Sequence, residues 1–88
     1  MKIKDGYMAR AMEDRYIVVS LEEDDDEFKG LITMNSSGMY IWELLQNNIT
    51  YDEILKNLLN RYDAPENIIK NDLDKFLDNA RKANLLEE

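Results

Sequence analysis

Two β-prone runs open the hydrophobic pattern of the chain. Residues 7–12 alternate Tyr7, Ala9 and Ala11 with Met8, Arg10 and Met12, and residues 15–21 set Tyr16, Val18 and Ser20 on one face against Ile17, Val19 and Leu21 on the other. The second run carries apolar residues both ways, which predicts a strand inside the sheet rather than at its margin. Only Glu13-Asp14 separates the two runs. That spacing predicts a hairpin, although neither residue is the glycine that the primed turns prefer. A third strand is predicted for Gly30-Leu31-Ile32-Thr33-Met34. No proline and no charge interrupts it after Lys29, so none of the usual devices blunts its edge.

The period then changes from two to that of a helix. Asn35, Ser36 and Ser37 can each cap a helix by accepting a bond from an early amide, and Gly38 lets the corner pass close to its neighbours. Tyr40, Ile41, Leu44 and Leu45 form the buried side of a first helix running to about Gln46; Trp42, the single tryptophan, is read as a packing residue. Thr50, with Glu53 three residues on, forms a capping box for a second helix whose apolar stripe is Ile54, Leu55, Leu58, Leu59 and Tyr62. Asp63, with Pro65 in the first turn and Glu66 beyond it, is expected to start a third helix. Ile69, Leu73, Phe76, Leu77 and Ala80 carry that helix to about Ala83, where Asn84 suits the left-handed stop and Leu85-Leu86 fold back. These elements predict an α+β fold, a three-stranded antiparallel sheet followed by three helices, similar to a winged helix-turn-helix. With no internal repeat or low-complexity linker, residues 1–88 are expected to form a single domain.

Composition narrows the chemistry. A chain of 88 residues supports one core and leaves little for a deep catalytic pocket. Neither cysteine nor histidine occurs, which excludes disulfides, thiol and imidazole chemistry and the usual zinc ligand sets. No constellation supports an independent active site, so the chain is expected to be no enzyme and to need no cofactor or metal. Residues 22–27 are six consecutive acids. Phe28 stands where a calcium loop needs another oxygen ligand, so the run is read as a solvated loop. A net charge of −8 repels phosphate backbones, giving no expectation of nucleic acid as a partner. The first residues run into no apolar secretory region, and no segment approaches the roughly 18 apolar residues of a membrane span. A soluble cytoplasmic protein without membrane contact is therefore the expectation.

The central stretch carries a resemblance. Gly30, then Ile32-Thr33-Met34, Asn35-Ser36-Ser37-Gly38, Ile41-Trp42 and Leu45 are similar to the central motif of the PqqD family. The resemblance extends to Gly6-Tyr7, Tyr16-Ile17-Val18-Val19, Thr50 with Glu53-Ile54, Asp72 with Phe76-Leu77, and Leu85-Leu86. The chain departs from the family pattern at Met34, Ser37 and Asn84, where leucine, threonine and glycine are commoner. The resemblance implies a RiPP recognition element that binds the leader of a ribosomally made precursor peptide. It would present that leader to a separate modifying enzyme such as a radical-SAM protein, a cyclodehydratase or a lasso-peptide protease. It also implies a leader lying between the third strand and the third helix, with backbone groups of residues 31–34 pairing with the guest as a fourth strand.

Periodicity leaves two flanks of the third helix as candidates for that groove. Ile68, Asp72, Lys75, Asn79 and Ala83 lie on one, Lys70, Asp74 and Arg81 on the other. The first flank is favoured, because the motif residues Asp72 and Phe76 span it and Asp72 and Lys75 offer one charge of each sign. The expected peptide-binding residues are thus Gly30, Leu31, Ile32, Thr33, Met34, Asp72, Lys75, Phe76 and Asn79. Proline at Ile32 is expected to remove a ladder amide and abolish binding. The alternative, a winged-helix DNA-binding regulator, has four acids (Glu66, Asp72, Asp74, Asp78) against four bases (Lys70, Lys75, Arg81, Lys82) on its would-be recognition helix.

Overall fold

The hairpin register follows from its turn. In the computed structural model, which describes residues 1–21 and 32–88, β2 (Tyr7–Met12) pairs antiparallel with β3 (Arg15–Ser20), Met12 opposite Arg15 and Tyr7 opposite Ser20, after β1 (Lys2–Ile3). The two-residue turn closes without glycine because Glu13 itself takes a positive φ of 52°. β4 (Thr33–Met34) pairs with the other side of β3, giving the order β2-β3-β4. β3 is central, as its pattern predicts, but only Val18 on it is fully buried; Ile17 and Val19 are half-exposed. The acidic run at 22–27 lies outside the described residues, as do Gly30 and Leu31.

α1 (Ser36–Leu44), α2 (Tyr51–Arg61) and α3 (Glu66–Lys82) follow. The α2 capping box forms as the spacing predicts: the Glu53 amide donates to the Thr50 hydroxyl, and the Thr50 amide donates to the Glu53 carboxylate. These bonds to Thr50 hold the Glu53 carboxyl below its usual range. α3 starts differently from expectation. Pro65 is its N-cap, with ψ of 141° and no side-chain cap, and its carbonyl accepts the amides of Ile68 and Ile69. Proline disfavours a helical conformation at Ala64 before it, so the chain stays extended through Pro65 and Asp63 falls outside the helix.

The C-terminal end of α3 is closed by two bonds, from the Asn84 amide to the Arg81 carbonyl and from the Leu85 amide to the Ala80 carbonyl. Asn84 takes the left-handed conformation at φ 62°, and its side-chain oxygen accepts from Lys4 Nζ at 2.8 Å. The turn returns the chain to β5 (Leu86–Glu87), which pairs antiparallel with β1. This second, two-stranded sheet has no counterpart in the local sequence pattern. It buries Ile3, whose amide donates to the Leu45 carbonyl.

Val18, Leu45, Ile54, Leu73, Leu77 and Leu85, all under 2% exposed, form the centre of the core. Burying each such aliphatic side chain contributes roughly 1.5–3 kcal/mol. Around it, the Arg61 guanidinium stacks 4.3 Å from the centre of the Tyr40 ring, and Tyr40 meets Tyr62 edge-on. This sandwich ties α1 to the end of α2. Tyr51 at the start of α2 donates to Asp74 on α3 at 2.5 Å. Burial, reinforced by the Asp74 carboxylate, pushes the Tyr51 phenol up to about 12.

Candidate functional site

A groove of about 480 Å³ opens between β4 and α3. Its position follows from the corner between β4 and α1. Asn35 ends the strand and caps the helix, its side-chain oxygen accepting the Gly38 amide and the Ser37 hydroxyl, each at 2.9 Å. Gly38 is packed so closely that a β-carbon there would come within 3.2 Å of Met34 Cβ. Glycine therefore lets the first turn of α1 sit directly against the strand. The helix then carries Ile41 and Trp42, both buried, beneath the groove as its floor, joined by Met34 and Leu85.

The far wall is α3. Asp72, Lys75, Phe76 and Asn79 line the groove, so the tertiary structure turns the flank with Asp72 and Lys75 toward β4. On the opposite flank two of the three residues are paired within the chain: Asp74 accepts from Tyr51, and Arg81 donates to Glu88 at 2.8 Å. Phe76 is half-buried, with part of its ring against the core and part bounding the open space. Asp72 and Lys75 make no ion pair or side-chain hydrogen bond among the described residues.

The strand wall presents backbone. Ile32, Thr33 and Met34 line the groove, whereas Gly30 and Leu31 lie outside the described residues. The Ile32 carbonyl accepts the Val18 amide at 3.0 Å, and Met34 pairs with Tyr16 two residues further on. In an antiparallel ladder both polar groups of a residue point the same way and alternate along the strand. Ile32 and Met34 thus face β3, and Thr33 turns its N–H and C=O outward to the groove. The ladder amide that proline at Ile32 would remove faces β3, so the substitution acts on the protein's own sheet, and the expectation that it would take a bond from a guest is corrected on this point.

The tertiary structure brings further residues to the groove. Asp14 and Arg15, from the β2–β3 turn, border the groove, bringing a second acid–base couple to its rim. Trp42 is a packing residue, as read, but its ring also floors the open space. Its apolar surroundings at helical spacing gave no sign of this. Among the described residues no cluster of acids is placed to hold a metal ion, and no helix is long and apolar enough to cross a membrane.

A solved structure of TbiB1 in complex with the TbiA(beta) leader peptide shares this fold, with a TM-score of 0.74 and 24% sequence identity over 99% of this chain and 95% of that one. No curated protein matches the sequence. Residues 15–86 match the family described as coenzyme PQQ synthesis protein D (PqqD). That match covers β3, β4 and all three helices, and with it the groove between them, and on this ground the chain belongs to the PqqD family.

Proposed function

We propose that the whole chain acts as one peptide-recognition module. It binds the leader segment of a ribosomally made precursor by strand addition at β4 and presents it to a separate modifying enzyme, such as a radical-SAM protein. The chain itself performs no reaction and works in the cytoplasm. The observation that carries this reading is the margin of β4, unpaired among the described residues, facing the polar flank of α3 that holds Asp72 and Lys75 across an apolar floor. An extended backbone placed there gains main-chain bonds from Thr33, while Met34, Trp42 and Phe76 receive its side chains and Asp72 and Lys75 meet its polar groups. Family membership and the shared fold with a leader-peptide complex support the same assignment.

Charge argues against the regulator alternative. α3 carries four acids and four bases, and the chain as a whole −8, which leaves no net positive charge to meet phosphate. The test is titration of labelled leader peptides from short open reading frames neighbouring the gene. Micromolar binding, about −8 kcal/mol, is expected, with amide shifts concentrated at Thr33, Met34 and the groove flank of α3. Shifts confined to other surfaces would remove strand addition at β4.

A further inference from the structure

The registers of the sheet fix how a guest strand would be read, provided that the groove binds an extended peptide as proposed. Across the sheet, Arg10, Ile17 and Thr33 form one row on the outer face. Ala11, Tyr16 and Met34 form the neighbouring row on the inner face, with Met34 buried against the helices. Ile32 follows Val18 on that inner face and is half-buried against the core. Strand alternation extends to any strand added beside β4, because residues directly opposite one another point to the same face.

We infer that the described part of β4 offers a single two-bond station, Thr33, and that this station sets a three-residue register for the guest, apolar-x-apolar. The guest runs antiparallel to β4, so that its central residue x exchanges both backbone bonds with Thr33, and the side chain of x joins the outer row beside Thr33, in water. Its two neighbours lie beside Ile32 and Met34 and send their side chains inward. There they meet Ile41, Trp42, Phe76 and Leu85. Asn35 cannot extend the outward-facing edge in the same way, since its carbonyl already accepts the Met39 amide in the first turn of α1. Thr33 is thus a specificity-determining residue through its backbone, and the spacing of two apolar anchors, i and i+2, is what the groove selects.

The experiment uses the full chain and overlapping synthetic peptides tiling the short open reading frames neighbouring the gene. The tightest tile is resynthesised with one N-methylated amide at a time and with single alanines, and is also titrated against Thr33→Pro and Ile32→Pro. N-methylation at x weakens binding by about tenfold or more, the loss expected for a directional hydrogen bond. Alanine weakens it most at the two residues flanking x. Thr33→Pro folds, because an outward amide on an edge strand is where proline is tolerated, and it binds the tile about tenfold more weakly. Ile32→Pro breaks the ladder to β3 and lowers the thermal midpoint.

Two results would overturn the register while leaving peptide recognition standing. One is a Thr33→Pro protein that binds the tile as tightly as the parent; the other is a tile whose alanine-sensitive positions are spaced three or four apart, the mark of a docked helix. Failure of every tile to bind the parent protein removes the register together with the proposed function.

Discussion

The side-chain oxygen of Asn35 lies 2.9 Å from the amide nitrogen of Gly38, and this bond decides where the strand stops and α1 begins. It satisfies an amide that has no partner within the helix, and it holds Gly38 against Met34. Replacing Asn35 by alanine is expected to cost about 1 kcal/mol of stability, with aspartate or serine recovering most of it. Urea unfolding of the three variants measures this. An alanine variant as stable as the parent would mean that the corner is held by packing alone.

Glu13 closes the β2–β3 hairpin with a positive φ, a conformation that costs a residue with a β-carbon about 1–2 kcal/mol. Glycine pays no such penalty but loses more freedom on folding. Glu13→Gly is accordingly expected to raise stability by about 0.5–1 kcal/mol and to raise the thermal midpoint. A lower midpoint would show that the glutamate side chain contributes something its backbone conformation does not reveal.

Trp42 is 4% exposed and belongs to the core as well as to the groove floor. Truncation to alanine should cost about 3–5 kcal/mol, a large share of the stability of a domain this small. Its fluorescence, the only tryptophan signal in the chain, is expected to lie to the blue in the folded protein and to shift red on unfolding. Emission already typical of water in the native protein would contradict its burial.

Tyr51 supplies a pH dependence whose sign is fixed. Its phenol titrates near 10.0 when unfolded and about 12 when folded, raised by burial and then by the bond to Asp74. The folded state therefore holds the proton through an interval in which the unfolded chain releases it, and stability falls as pH rises. The contribution is intact below pH 10 and is lost as pH climbs through 12. Comparing urea midpoints of the parent and Tyr51→Phe, the advantage of the parent should be constant up to pH 10 and shrink above it; an unchanged difference at higher pH would refute the assignment.

Local signals of short reach were sufficient where the structure depends on them. The Thr50–Glu53 box, the left-handed Asn84 and the central place of β3 are each decided within a few residues of sequence, by hydrogen-bonding groups or side-chain alternation. The start of α3 departs from the expectation because the capping potential of Asp63 is overridden by the restriction that Pro65 imposes on Ala64. β1 and β5 leave no local signal because a two-residue strand is too short to show a period; Ile3 is buried through partners at Leu45 and the C-terminal segment.

For the groove the division is sharper. The amino-acid pattern alone determined that a strand without protective charge or proline is followed by a capped helix, and that α3 has one apolar stripe with a polar flank on each side. Those features depend on neighbours in the chain. Only the tertiary structure decided that the flank with Asp72 and Lys75 turns toward β4, that Arg15 comes to the rim, and that Thr33 rather than Ile32 offers its backbone outward. The rotation of a helix about its axis and the register of one strand on another are set by contacts between residues far apart in sequence, such as Tyr51 with Asp74 and Tyr16 with Met34, and no local periodicity encodes them.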